Sequence, residues 1–284
     1  MTAAASFLRF GQEDPASPVV ISVPHAGRDY PIPLQAALRP PLAAARALED
    51  RHVDAIALAA RGPETMLVQQ RARAWIDLNR AEFERDPRAD EGAAAIGAAA
   101  ANPKLRSGLG LTPRRAGSGG DLWRRRWTAA EVAARIAADH RPYHHALAAS
   151  LARARARFGT AVLLDLHSMP PLPGAGAAEL VIGDRFGRAA GARFVARVEA
   201  AAASAGLPCA LNVPYAGGHV LARHGAPQAG VHAIQVEIDR SLYLDRRLDQ
   251  PDPAGVARMA DLVRAMLDAL ADEALAGPAL LAAE

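Results

Sequence analysis

The stretch Ala161-Val162-Leu163-Leu164-Asp165-Leu166, running into His167-Ser168-Met169-Pro170-Pro171, decides the fold. Five of its first six residues are apolar with no alternation, which suits a strand buried on both faces of a sheet. The proline pair stops it, so His167 is expected at a strand-to-loop exit. The run Val19-Val23 has the same character and ends at Pro24-His25-Ala26-Gly27. A third apolar run, 231–238, carries Glu237 inside it. Shorter strands are expected at 66–69, 74–78 and 179–182. Helical stretches fall between them: 43–60, with Glu49, Asp50 and Asp54 on it or at its start; 128 to 158, with a joint near Pro142; 187–205; and 252 to about 271. Thr128-Ala129-Ala130-Glu131 is a capping box and Asp252-Pro253 a helix start. Residues 81–120 read as a long loop, a length that often marks function. Strands alternating with helices, without repeats or a composition break, predict one α/β domain over 1–284, core 15–271, on a mixed, largely parallel sheet.

Composition narrows the field. The 284 residues are 51% hydrophobic and 22% charged, which excludes disorder for the chain as a whole. The single cysteine, Cys209, excludes an intrachain disulfide and a Cys-rich zinc site. No run approaches the ~20 apolar residues of a membrane span, and residues 1–10 lack a signal-peptide pattern. The expectation is a soluble cytoplasmic protein. A net charge of +3 is too weak to imply nucleic acid. The basic cluster Arg114, Arg115, Arg124, Arg125 and Arg126 reads as a solvated loop.

Polar residues gather where the predicted strands end: His25, the segment Asp77-Leu78-Asn79-Arg80, and Asp165 with His167. Ligand sites in open α/β sheets collect at that edge. Two histidines and a carboxylate from separate segments are what a catalytic zinc needs, with a further position left for water. Each histidine alone fits a structural hydrogen bond as well as a metal ligand. Arg80 and Asn79 fit a carboxylate-binding fork; a surface ion pair of Arg80 with Glu82 or Glu84 fits equally.

The ordered set of motifs goes further. Ser22-Val23-Pro24-His25-Ala26-Gly27, Glu49-Asp50-Arg51-His52-Val53-Asp54, Arg73-Ala74-Trp75-Ile76-Asp77-Leu78-Asn79-Arg80, Gly108-Leu109-Gly110-Leu111-Thr112-Pro113, Pro142-Tyr143-His144, Leu164-Asp165-Leu166-His167-Ser168-Met169-Pro170, Asn212-Val213-Pro214-Tyr215-Ala216-Gly217-Gly218 and His232-Ala233-Ile234-Gln235-Val236-Glu237-Ile238 occur in one order between about residues 19 and 245. In these the chain resembles the N-formylglutamate amidohydrolase family. The resemblance implies a three-layer α/β/α sandwich, phosphorylase/hydrolase-like and related to the zinc carboxypeptidases and aspartoacylase. It implies a cytoplasmic enzyme of histidine catabolism that cleaves N-formyl-L-glutamate to formate and glutamate with one divalent ion, Zn2+.

Residue by residue, His25 and His167 match the metal-binding histidines. The carboxypeptidase pattern puts a glutamate three residues after the first histidine, where this chain has Arg28. A carboxylate must come from elsewhere: Asp50 first, then Glu49, then Asp29. Glu237 matches the general base, Arg73 the arginine that polarises the scissile carbonyl, and Asn79 and Arg80 the pair that holds a substrate carboxylate. Arg223 and His224 match a segment lining the site. Asp77 and Asp165 are expected to orient the histidines, and His232 to lie behind the site. His144 and His145 are expected to be structural, and His219 has no assigned role. The partner implied is a small molecule, with no nucleic acid and no membrane; the oligomeric state is not legible. Arg28, His219 and the Ala/Gly-rich stretch 92–101 depart from the family pattern. They keep open an alternative substrate, another N-formyl or N-acyl amino acid or a short peptide. A non-catalytic binding protein of the same fold is a third reading, against which His25, His167 and Glu237 stand.

Overall fold

The computed structural model describes residues 6–94, 103–117 and 120–276. The stretch 95–102, most of the divergent Ala/Gly-rich segment, lies outside the described residues. Seven strands, β1 (Phe7–Phe10), β2 (Val19–Val23), β3 (Thr65–Gln69), β4 (Ala161–Met169), β5 (Leu180–Gly183), β6 (Cys209–Leu211) and β7 (Val231–Asp239), form one sheet in the order β1-β3-β2-β4-β7-β5-β6. β2, β4 and β7 run parallel, β5 is antiparallel to β7, and β6 is parallel to β5. The sheet is therefore mixed and the fold α/β, as the sequence predicts. β2 and β4 are buried along their whole length, which is why their sequences do not alternate.

The chain packs as two compact units. The larger comprises Arg9–Val23, His52–Met66 and Leu147–Glu284. β2, β4, β5, β6 and β7 lie wholly within it. Its longest helix, Pro253–Leu275, is capped by Asp252, whose carboxylate accepts the Gly255 N–H. Met259, Leu262, Val263, Met266, Leu267 and Leu270 form its buried stripe at the i, i+3, i+4 spacing of an amphipathic helix. That helix packs on the helices Val53–Ala60 and Ala192–Ser204 and on β2 and β4. Arg264 on it pairs with the buried Glu64 at 2.7 Å.

The smaller unit comprises Met1–Leu8, Pro24–Arg51 and Leu67–Ala146. Its capping box is formed as expected: Thr128 accepts the Glu131 N–H, and Glu131 accepts the Thr128 N–H. The helix Ala129–Arg135 continues through a π-helical turn, Ile136–His140, into Arg141–Phe158. There is no break near Pro142; the wide turn accommodates a residue that has no N–H to give. Arg135, 2% exposed, lies between the indoles of Trp75 and Trp127, 3.7 Å from each ring centre. Trp123 meets Trp127 edge-on, with ring centres 5.1 Å apart.

Four local expectations are corrected. Residues 74–78 are not a strand. The Trp75 N–H bonds back to Ala72 O and the Arg80 N–H to Asp77 O, so the segment is a chain of turns. Of its apolar residues, Trp75 packs on Trp127 and Arg135, and Ala74, Ile76 and Leu78 are buried. The stretch 43–60 is not one helix. Leu42–Ala45 and a 3₁₀ turn, Arg46–Leu48, end before Glu49; His52 takes a left-handed conformation (φ 60°), and Val53–Ala60 begins anew. The break is held by the Asp50 N–H, which donates to His25 O at 3.0 Å. β4 runs on to Met169, so His167 lies inside the strand, not past its exit. Arg114 is 3% exposed and ion-paired with Asp86 and Asp121, so it is no part of a solvated basic face.

Candidate active site

The predicted site residues fall in both units. In the smaller unit, His25 follows β2 in a turn and is 2% exposed. Its Nε2 is 2.7 Å from Asp77 Oδ1. Asp77 is fully buried and also accepts the Arg73 Nε–H at 2.8 Å and the Asn79 backbone N–H at 2.8 Å. Burial alone would raise its pKa. The charges of Arg73, His25 and Arg80 and the hydrogen bond from His25 outweigh that, and hold the carboxyl well below the usual range. An ionised Asp77 fixes the proton of His25 on Nε2 and turns Nδ1 the other way. There Asp50 Oδ2 stands 3.5 Å from Nδ1, with Asp50 itself 2% exposed. That spacing is long for a charge-assisted hydrogen bond, roughly 2.7–2.9 Å. It is close to the separation of two donors around a tetrahedral ion with bonds of about 2.0–2.2 Å.

The other two candidate carboxylates are committed elsewhere. Glu49 accepts the Tyr30 hydroxyl at 2.5 Å and Arg51 Nη1 at 2.7 Å. Burial and then the Glu49 hydrogen bond raise the Tyr30 pKa, so Tyr30 stays a donor. Asp29 is exposed and pairs with Arg71.

Arg80 is 4% exposed, which removes the surface-pair reading. Its Nε and Nη1 donate to Leu109 O and Asn79 O, both at 2.8 Å. Glu84 instead accepts the Ala81 N–H, and Glu82 pairs with Arg141. Two histidines one helical turn apart brace the same segment: His140 Nε2 to Arg80 O at 2.8 Å and His144 Nε2 to Leu78 O at 3.0 Å. His144 is thus tied to backbone through Nε2, and so is His140.

In the larger unit, His167 and Asp165 sit two apart on β4 and so share a face. His167 Nε2 is 2.8 Å from Asp165 Oδ2, and Ser22 Oγ donates to Asp165 Oδ1 at 2.7 Å. The register pairs His167 with Glu237 and Asp165 with Gln235 across β4 and β7. These four side chains therefore line one patch. Glu237 is 8% exposed, and Gln235 Nε2 donates to its Oε1 at 3.0 Å. Arg240 Nε donates to Ser168 Oγ at 3.1 Å. Arg223 is exposed on the helix His219–His224, and His224 beside it is buried. Burial, then the charges of Arg223 and His219, pull His224 down to about 4, so it is neutral at pH 7 despite the opposing pull of Asp165.

A family model described as N-formylglutamate amidohydrolase matches residues 17–244. The chain belongs to the N-formylglutamate amidohydrolase family. It is 35% identical over 140 residues to an N-formylglutamate deformylase of Pseudomonas aeruginosa, covering 48% of this chain and 52% of that one. It is 31% identical over 138 residues to an N-formylglutamate deformylase of Pseudomonas putida, covering 45% and 51%. The alignments thus span about half the length of these curated relatives. A crystal structure of N-formylglutamate amidohydrolase from Ralstonia eutropha superposes with a TM-score of 0.85 at 32% identity, covering 96% of this chain and 99% of that one.

Sequence reasoning missed three supports of this family member's site. Ser22, Gln235 and His140 hold, respectively, the Asp165 carboxylate, the Glu237 carboxylate and the backbone of Arg80. The first is visible only from the β2–β4 register. The second and third have a signal in the chain itself, a polar residue two before Glu237 on a strand and a histidine four before His144 on a helix.

Proposed function

We propose that this chain is a metal-dependent amidohydrolase that cleaves the formamide bond of N-formyl-L-glutamate, yielding formate and glutamate, with its two units acting as one catalytic domain. One observation carries the reading beyond family membership. His25 and His167 are both buried and each has one ring nitrogen held by a buried carboxylate, the arrangement that readies the other nitrogen for a cation. His25, Asp50 and His167 are a donor set of the kind that holds a divalent ion, two imidazoles and one carboxylate. Zn2+ is the ion such ligands suit. When bound, it supplies Lewis acidity that polarises a carbonyl and acidifies water.

The chain's own residues do the rest. Glu237, oriented by Gln235, takes a proton from the water that adds to the formyl carbon. Arg73, steadied by Asp77, donates to the oxyanion that forms. Glu237 then passes the proton to the amide nitrogen as the C–N bond breaks, so formate and the free amine leave. Arg80, with Nε and Nη1 anchored to backbone carbonyls, presents its remaining edge to a substrate carboxylate beside Asn79. Arg223 supplies further positive charge near the substrate.

Metal analysis of the purified chain, paired with formate release from a panel of N-formyl and N-acyl amino acids, tests this. The expected result is about one equivalent of zinc and fastest turnover of N-formyl-L-glutamate. The variant Glu237→Gln is expected to keep its metal and lose about 10²–10⁴-fold in kcat. Unchanged turnover in that variant removes the base assignment. Faster release from another acyl amino acid replaces the substrate. A chain without metal that stays inert after zinc addition is not an enzyme of this kind.

A further inference from the structure

A cavity of about 390 Å³ in the smaller unit is lined by Arg28, Tyr30, Arg46, Glu49 and Arg51, with Asp29, Gln35 and Leu42 completing its wall. Its size falls within the roughly 300–1,000 Å³ of small-molecule sites. Three guanidiniums face two carboxylates, and both carboxylates are already engaged. Asp29 pairs with Arg71, and Glu49 takes both Tyr30 and Arg51. Arg46 is exposed, and its side chain makes no hydrogen bond or ion pair with any described residue. Its charge reaches Tyr30 across the cavity wall. The cavity therefore carries a surplus of positive charge in fork-shaped donors, which match a carboxylate.

Its place in the chain ties it to the candidate site. Arg28 lies three residues after His25, and Glu49 is bonded directly to Asp50. The Asp50 N–H donates to His25 O, so these two strips of backbone run side by side. The cavity wall and two of the candidate cation donors are thus built from the same two strips.

We propose that this cavity is the subsite for the second carboxylate of a dicarboxylic N-formyl amino acid, with Arg46 as the residue that selects for it. The proposal rests on the deformylase reading, in which Arg80 takes one substrate carboxylate, and it gives the other a walled site in place of the general positive charge of the exposed Arg223. It also gives Arg28 a purpose at the position where the carboxypeptidase pattern has a glutamate. A neutral amide at the same point offers one acceptor oxygen in place of two and no charge, and binds more weakly.

Two measurements on the zinc-reconstituted chain test it together. The first is the ratio of kcat/KM for N-formyl-L-glutamate over N-formyl-L-glutamine, by formate release. The second is calorimetric titration with glutarate, with butyrate as the monocarboxylate control. Arg46→Ala is expected to lower the ratio and the glutarate affinity by about tenfold or more, and Arg46→Lys to recover part of both. Arg28→Ala is expected to act in the same direction. A ratio and a glutarate affinity that stay within about twofold of the parent in both alanine variants overturn the subsite, as does a parent chain that does not prefer glutarate to butyrate. Glutarate binding that depends on Arg46, with formate released from neither substrate, upholds the subsite and sinks the deformylase reading instead.

Discussion

His25 and His167 each have a ring nitrogen held by a buried carboxylate, and they come by it in different ways. His167 rides on a fully buried central strand, and the carboxylate that orients it is two residues back on that strand. The strand repeat alone brings the pair together. His25 sits in a turn, and its carboxylate comes from Asp77, 52 residues away in another turn. Asp77 in turn depends on Arg73, the Asn79 N–H and the bracing of that segment by His140 and His144. The setting of His167 is thus a property of secondary structure. That of His25 is a property of packed loops, and it has more ways to fail.

The largest expected effect probes the pair directly. His25→Ala and His167→Ala should each lose bound metal by elemental analysis and reduce formate release to background. They should differ in stability. His25→Ala leaves the fully buried Asp77 with the Arg73 guanidinium and the Asn79 N–H and should cost about 1 kcal/mol by denaturant titration. His167→Ala leaves the equally buried Asp165 with the Ser22 hydroxyl alone and should cost more, about 1–3 kcal/mol. Equal losses would show that the extra partners of Asp77 do not cushion the loss of its histidine.

Next come the carboxylates. Asp165→Asn should weaken metal affinity about 10–100-fold with little else changed. Asp77→Asn should weaken it as much and also slow turnover of metal-saturated enzyme, because Arg73 loses its anchor. A Asp77→Asn variant whose kcat recovers fully at saturating zinc would confine Asp77 to orienting His25.

A smaller effect belongs to the larger unit alone. His232 accepts the Gly191 N–H at Nδ1 and lies on the Phe194 ring, with centres 4.3 Å apart. Burial, then the charge of Arg193, pulls its pKa from 6.5 to about 4. The unfolded chain therefore binds the proton more readily. Stability from this group is fully present above about pH 6.5, falls as pH drops toward 4 and is flat below that, an effect on the order of 2–3 kcal/mol. His224 acts in the same sense over the same window. His232→Gln should flatten part of that slope in urea titrations between pH 7 and 4; an unchanged slope would show that His232 does not titrate as described. The smallest effect is Thr128→Ala, which removes half of a capping box in the smaller unit and should cost about 1 kcal/mol.

The same contrast explains what the sequence disclosed. β2, β4 and β7 are legible because continuous apolar runs have few other readings, and two candidate ligands and the candidate base lie in or beside them. The candidacy of His25, His167 and Glu237 rests on motif order, and that of Asp50 on the absence of a carboxylate at position 28. The turns at 72–80 and 49–52 were not legible, because partners distant in sequence set their shape: Leu111 O for the Asp77 N–H and His25 O for the Asp50 N–H. A local pattern gives such a segment the look of a strand or helix when it is neither. β1 and β6 escaped notice because they are four and three residues long and half exposed or more, too short for an alternation to stand out.

All three tryptophans of the chain, Trp75, Trp123 and Trp127, stand in one cluster in the smaller unit. Intrinsic fluorescence is therefore an optical witness to that unit alone, while far-ultraviolet dichroism hears both. Melting curves recorded by the two signals on a single sample would show, without a label or a mutation, whether the loop-built half lets go before the strand-built half does.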